Sequence, residues 1–111
     1  MPNDCWSQIT ITGKKYLVDR FFADEFNEIP SWAHEIFVKG EEGLQFKLWS
    51  RWNPDFDWLE GLLTKYPGIW VKNIWQEEGG LAGVWIGSEE KGIKRLEWED
   101  MCIEENSYRF R

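Results

Sequence analysis

Nucleophilic and acid–base chemistry could involve very few side chains in this 111-residue chain, because it contains one histidine and two cysteines. An acyl-transfer site would need His34 as its base, and the fold would have to bring Cys5 or Cys102 to it as the nucleophile. A lone histidine next to a strand is more commonly an ordinary surface or loop side chain. The sequence therefore predicts a protein that is not an enzyme.

Carboxylates occur as adjacent pairs in three predicted turns: Glu41/Glu42, Glu77/Glu78 and Glu89/Glu90. Solvated acids are common in turns, and no pair has the spaced oxygen ligands of a calcium loop. Two cysteines and one histidine do not supply zinc ligands at a useful spacing. We therefore expect no metal and no other cofactor, and we expect both thiols to be reduced in the cytoplasm.

Tryptophan is the residue type that the chain uses in excess, with nine copies spread from end to end. Each indole can remove roughly 150–250 Å² from water when it is buried. Such rings either anchor a small core or line a binding surface, and the strands and helices that carry them decide which.

Hydrophobic periodicity predicts two helices and five strands, with 93–98 as an optional sixth strand. Alternating or β-branched segments indicate strands over 6–12, 34–39, 44–50, 69–76, 81–87 and 93–98. Apolar residues at three- and four-residue spacing indicate helices over 14–27 and 54–66, the second with Asn53 as its N-cap. This order predicts an α+β, ferredoxin-like βαββαβ sandwich, with both helices on one face of an antiparallel sheet and one or two extra C-terminal strands. One domain would span 1–111, with a core at about 5–76 and an acidic extension at about 77–111.

The strand phases assign some indoles to the sheet face opposite the helices. If Ile9, Ile11, Phe46, Leu48, Val84 and Ile86 form the core, then Trp6, Trp49 and Trp85 project from the other side, whereas Trp70, Trp75 and Trp98 stay unassigned. The C-terminal extension or a second copy in a homodimer could cover that face. It could also recognise another protein, or stack the bases of single-stranded RNA.

Charge bears on the choice among these partners. The net charge is −7, and residues 77–105 hold nine acids against three bases. This excess argues against binding to a phosphate backbone, so nucleic acid is the least expected partner. The sequence instead predicts an acidic binding patch made of Glu77, Glu78, Glu97, Glu99, Asp100, Glu104 and Glu105. It contains neither a membrane span nor a signal peptide, which predicts a cytoplasmic protein with no membrane partner.

Three short motifs carry a family resemblance: Pro2-Asn3-Asp4-Cys5 with Ile9–Gly13, Trp49–Pro54, and Lys65-Tyr66-Pro67 followed by Glu77–Gly80 and Ala82-Gly83. Together they resemble the YubB-like ferredoxin-like domain family, whose members typically begin Pro-Asn-Trp-Cys-x-Asn. Asp4 and Ser7 depart from that opening. The resemblance implies a ferredoxin-like fold and an origin on phages, plasmids or other bacterial mobile elements, and it implies no established chemistry.

These observations lead to one functional prediction and one alternative. The prediction is a small, non-enzymatic acidic protein of a mobile element that binds a host or mobile-element protein through Trp6, Trp49, Trp85 and the acidic patch. A sharper form of it is an inhibitor of a nucleic-acid-binding defence system, either anti-CRISPR or anti-restriction, whose carboxylates occupy a groove meant for phosphate. The alternative is an RNA- or ligand-binding domain that uses the aromatic sheet face.

Overall fold

A computed structural model describes residues 4–51 and 53–98 of the chain. Its strands are β1 (Asp4–Thr12), β2 (His34–Lys39), β3 (Gly43–Arg51), β4 (Trp70–Glu77), β5 (Ala82–Ser88) and β6 (Gly92–Trp98). Its helices are α1 (Lys15–Glu25) and α2 (Phe56–Lys65), and a short 3-10 turn, Ser31–Ala33, precedes β2. Each predicted strand and helix is present, with ends shifted by at most two residues.

β1 lies inside the sheet and pairs with β3 on one edge and with β4 on the other. Its residues alternate in burial: Cys5, Ser7, Ile9 and Ile11 are buried, whereas Trp6 and Gln8 are exposed. Directly opposed residues of antiparallel strands share a face, so β1 sets which side chains of its neighbours point to the helices. Phe46 of β3 and Val71 of β4 lie opposite Ile9 and Ile11 and are buried with them.

Both helices cover that same face of the sheet. α1 contributes Leu17, Val18 and Phe21 to the core, and α2 contributes Leu59, Leu62 and Leu63. These side chains recur at the spacing of one helical face, which is why each helix buries one side only. Among the described residues, no helix has the length and apolar character needed to cross a membrane.

The start of α2 differs from the prediction by two residues. Asp55, and not Asn53, is the N-cap, because its Oδ1 accepts a hydrogen bond from the backbone N–H of Trp58 at 3.1 Å. Pro54 therefore lies just before the cap instead of in the first helical turn. The helix ends at Lys65 with Tyr66 as its C-cap, and Gly68 follows with a φ of 101°, a conformation that favours glycine.

The predicted ferredoxin-like sandwich is wrong as a description of the fold. The protein is α+β, but one antiparallel sheet of six strands in the order β2-β3-β1-β4-β5-β6 carries its two helices, and this differs from a simple ferredoxin-like fold. The segment treated as an extension supplies two full members of the sheet. Short polar turns join β4 to β5 and β5 to β6, so each strand pairs with its neighbour in sequence.

Two glycines on the helix-facing side of β5 make room for indoles. A Cβ atom added at Gly83 would lie 2.8 Å from the ring of Trp75, and one added at Gly87 would lie 2.6 Å from the ring of Trp85. Both rings are almost fully buried. The core therefore contains two large aromatic side chains that depend on the absence of a neighbouring side chain.

We predict opposite effects for two glycine-to-alanine substitutions. Gly61 lies within α2 with nothing near its Cβ position, so Gly61→Ala should raise the free energy of unfolding by about 0.5–1 kcal/mol. Gly83→Ala should lower it by about 1–3 kcal/mol, because the new methyl group overlaps Trp75 and the Leu96 carbonyl oxygen. Urea unfolding monitored by circular dichroism measures both. A Gly83→Ala protein as stable as the parent would contradict this account of the core.

Candidate functional site

The sheet face opposite the helices carries exposed aromatic and apolar side chains. We call it the open face. Trp6 is 41% exposed and lies opposite Gln76 of β4, and Ile74, two residues earlier on β4, is 40% exposed. Trp70 lies on the same face, opposite Thr12 of β1. Neither α1 nor α2 packs on these side chains.

A groove of about 870 Å³ runs along the open face. Its principal side chains, which define the open-face groove from here on, are Trp6, Gln8, Phe37, Lys47, Trp70, Lys72, Ile74, Gln76, Val84 and Ile86. The volume and the mainly apolar lining with a few polar groups are typical of binding sites.

The charge of this groove is opposite in sign to the charge of the chain. Lys47 and Lys72 line it, and no carboxylate is found among the described residues that do so. The Lys47 ammonium lies 4.4 Å from the centre of the Trp6 ring, in a cation–π contact. Lys94 lies opposite Ile86 in the β5–β6 register and therefore on the same face. Aromatic and cationic groups are thus interleaved on one surface.

The predicted acidic patch is not assembled by the described residues. Glu77 is only 5% exposed, lies on the helix-facing side opposite Cys5, and its Oε1 accepts a hydrogen bond from the Gly79 N–H at 2.9 Å. Glu97 also lies on the helix-facing side of the sheet, on β6, and forms an ion pair with Arg95. Glu78 is exposed. Glu99, Asp100, Glu104 and Glu105 lie outside the described residues.

Three indoles were predicted for the open face, and the prediction is wrong for Trp85. It is 1% exposed and belongs to the core cluster, on the helix-facing side. β5 is apolar on both faces, so periodicity alone could not settle its phase. Gly83 and Gly87 share the face of Trp85 and leave space for large rings, whereas Val84 and Ile86 turn to the groove.

Trp6 and Trp49 lie directly opposite each other in the β1–β3 register, as the prediction required. The Trp49 ring packs against Trp32, with centroids 5.1 Å apart, and its Nε1–H donates to Asp4 Oδ1 at 2.9 Å. Both indoles therefore lie on the open face, where Trp6 lines the groove and Trp49 borders the cavity next to Trp32.

Sequence analysis missed two aromatic members of the groove. Trp70 stayed unassigned because β4 carries large apolar residues on both faces, although the polar Lys72 next to it on the same face was a usable signal. Phe37 follows Ile36, which lies opposite the buried Phe46 on the helix-facing side, so simple alternation places Phe37 on the open face. The predicted inward side chain of Ile36 was therefore a usable signal.

A second cavity, of about 560 Å³, lies where the end of α1, the 3-10 turn and the start of α2 meet the sheet. We call it the end cavity. Three indoles, several polar groups and four charged groups are among its lining residues: Trp32, Trp49, Trp58, Ser7, Ser50, Asn73, Glu25, Glu28, Asp55 and Lys65. Asn73 is 1% exposed, and its Oδ1 has no hydrogen-bond partner in the described structure.

Glu25 forms the polar junction between the two helices, on the wall of the end cavity. Its carboxylate accepts hydrogen bonds from Lys65 Nζ at 2.7 Å, Tyr66 OH at 2.5 Å and Trp58 Nε1 at 3.0 Å. Burial alone would raise the pKa of this carboxyl, but the three donors outweigh it and hold the pKa below its usual value. Burial and the adjacent carboxylate raise the pKa of Tyr66, so the phenol stays protonated and donates.

Neither Cys5, the described candidate nucleophile, nor His34, the candidate base, lies in an environment suited to nucleophilic catalysis. Burial raises the pKa of the Cys5 thiol, which disfavours the reactive thiolate. His34 Nδ1 lies 3.0 Å from the Pro30 carbonyl oxygen, and its ring packs against Phe26. Cys102 lies outside the described residues. Within residues 4–51 and 53–98, no group of three potential metal ligands occurs.

We predict that Glu25 stabilises the fold in a pH-dependent way. Glu25→Gln should lower the free energy of unfolding at pH 7 by about 1–3 kcal/mol, because charge-assisted hydrogen bonds become neutral ones. The folded-state pKa lies below the ordinary value of 4.5, so this contribution is complete above pH 4.5 and is lost as the pH falls through the folded-state pKa.

Urea unfolding of both proteins from pH 7 down to pH 3 measures the difference, with Glu60→Gln, an exposed site on α2, as the control. The gap between the parent and Glu25→Gln should narrow at the acidic end, whereas Glu60→Gln should track the parent throughout. A gap that stays constant with pH would mean that the ionised carboxylate is not the stabilising species.

No protein-family model, no curated protein and no solved structure matches this chain, and its resemblance to the YubB-like ferredoxin-like domain family stays a prediction.

Proposed function

We propose that this chain is a non-catalytic cytoplasmic protein whose open-face groove binds single-stranded nucleic acid. The observation that carries the proposal is the composition of the groove, which combines three aromatic rings with two lysines and no carboxylate among its described lining residues. Proteins that bind single strands combine stacking rings with a cationic path for the backbone. This function is the alternative from the sequence analysis, and the local charge now favours it.

The aromatic groups are spaced to hold more than one base. Trp6 lies opposite Gln76, and Trp70 is six residues away from Gln76 on β4, so the two indoles are separated by roughly 20 Å along the sheet at about 3.3 Å per residue. Phe37 provides a third ring at the β2 side. A base that stacks on such a ring contributes about 1–3 kcal/mol, with little dependence on its identity.

Polar groups between the two indoles suit the rest of a nucleotide. Lys47 and Lys72 supply ammonium groups for phosphates. The amides of Gln8 and Gln76 can donate hydrogen bonds to base edges and accept hydrogen bonds from them. Phosphate contacts position a strand, and amide contacts can discriminate among bases.

The net charge of −7 argues against nucleic acid as the partner, but most of the acidic side chains lie away from the groove. Acids on the helices and in the turns lie away from the groove lining. At physiological ionic strength, exposed charges more than about 8 Å apart are largely screened from each other. On the open face itself, Glu35 lies opposite Lys47 and offsets part of its charge, whereas Lys72 and Lys94 lie opposite the apolar Ile86.

Protein binding, the function that the sequence analysis placed first, is the second candidate. The exposed apolar side chains Phe37, Ile74 and Leu96 favour it, since such patches are typical of interfaces. Its acidic-inhibitor form stays a prediction, and the described acids give it no assembled patch. A partner protein for the same face would have to be complementary to lysines and indoles.

The deciding experiment is fluorescence-anisotropy titration of labelled twelve-nucleotide poly-U and poly-dT at two salt concentrations. We expect saturable binding that weakens with salt. Trp6→Ala should weaken it by roughly 1–3 kcal/mol. Each of Lys47→Gln and Lys72→Gln should reduce the slope of log K against log salt by about 0.7.

Matched controls keep this test specific to the groove. Lys91→Gln removes an ammonium from the β5–β6 turn, and Trp32→Ala removes an indole from the end cavity. Neither should change the affinity by more than about twofold. No saturable binding, or equal losses in control and groove variants, would refute nucleic-acid binding by this face and leave protein binding as the candidate.

A further inference from the structure

We propose that the end cavity is a second binding site, which takes a small alkylammonium cation against the exposed faces of the Trp32 and Trp49 indoles. Its lining differs from that of the open-face groove, although Trp49 lies opposite Trp6 of the groove in the β1–β3 register. The site therefore does not rest on the nucleic-acid proposal.

The aromatic walls are the first reason. The rings of Trp32 and Trp49 contact each other with their centroids 5.1 Å apart and their planes inclined at 56°, so their outer faces form an angled aromatic surface. The Trp58 indole lines the same cavity. Cations are attracted to the negative faces of aromatic rings, and tryptophan is the strongest of these acceptors.

The charge of the lining is the second reason. Three carboxylates and one ammonium line the end cavity: Glu25, Glu28, Asp55 and Lys65. Lys65 is already paired with Glu25 at 2.7 Å. The remaining negative charge favours a cationic ligand and disfavours phosphate or carboxylate ligands.

An orphaned acceptor in the lining is the third and independent reason. The Asn73 side chain is 1% exposed, and its Oδ1 has no hydrogen-bond partner in the described structure. Leaving a buried acceptor without a donor is costly, so a ligand that brings an N–H donor gains by pairing with it. A protonated amine supplies both that donor and the positive charge that the indoles and carboxylates favour.

Size and chemical class then follow. A volume of about 560 Å³, with indoles and apolar side chains such as Pro54 and Leu59 around a few polar groups, suits a small molecule with a short apolar chain. A free amine and the side chain of a partner's lysine present the same alkylammonium group. The lining thus selects an ammonium head group on an aliphatic stem.

The test is a titration of the ¹⁵N-labelled protein with n-butylammonium chloride, followed by the NMR signals of the indole N–H groups. We expect saturable shifts for Trp32 and Trp49, assigned by substitution, with a dissociation constant on the order of 1 mM, as is typical for so small a ligand. The neutral analogue 1-pentanol should bind at least about fivefold more weakly, because it lacks the cation–π attraction.

Substitutions locate the site. Trp32→Ala should weaken butylammonium binding about tenfold, and its 69% exposure means that the fold should survive, which circular dichroism checks. Trp70→Ala, at the other end of the open face, is the matched indole control. Glu28→Gln should weaken binding, whereas Glu41→Gln, in the β2–β3 turn, should not.

The proposal would be overturned if no saturable shift appeared up to about 20 mM amine, which is well above the expected dissociation constant. Equal binding of 1-pentanol would also overturn it. So would an unchanged affinity in folded Trp32→Ala, or equal losses of affinity in the variants and their controls. A further titration with Nα-acetyl-lysine methylamide separates the two sources of the cation. Comparable binding of this compound supports a partner's lysine, and binding of butylammonium alone supports a free amine. Because Trp70→Ala removes an indole of the groove and Trp32→Ala removes one of the end cavity, failure at one site leaves the result at the other site readable.

Discussion

Pairing of β1 on both of its edges is the constraint on which the rest of the structure depends. Ile9 and Ile11 can be buried only if Trp6 and Gln8 point the other way, and register carries this choice into every neighbouring strand. A shift of one residue would place the indole of Trp6 under the helices and two isoleucines in solvent. The core and the groove are therefore two consequences of a single alternation.

The helices add a second, polar constraint on the covered side of the sheet. Glu25 connects α1 to α2 by accepting hydrogen bonds from groups at both ends of α2. A buried carboxylate is tolerated there because three donors replace its water. With acids on the helix side and lysines in the groove, the two sides of the sheet present different chemistry. Net charge is therefore a poor guide to the partner of either side.

Sequence reasoning succeeded where local chemistry was decisive and failed where several strands had to be compared. The inward side of β1, the hairpin of β2 and β3, and the helix before Pro67 could all be read from periodicity and turn residues. The topology and the face of Trp85 could not, because β5 is apolar on both sides and its phase depends on β4. The register shift in β2 changes the partner of Val38, and no residue of the strand marks it. The end cavity joins residues far apart in sequence, so no short motif could reveal it.

The pairs of glycine and tryptophan in the core have a consequence for how this sequence can change. The Trp75 ring occupies the volume that a side chain at position 83 would need, and the Trp85 ring occupies that of position 87. In each pair, the combined volume of the two side chains is therefore limited, and one side chain can grow only if the other shrinks. A larger residue at the glycine becomes acceptable only together with a smaller one at the tryptophan, so substitutions at these sites should be epistatic and should arise as coordinated exchanges.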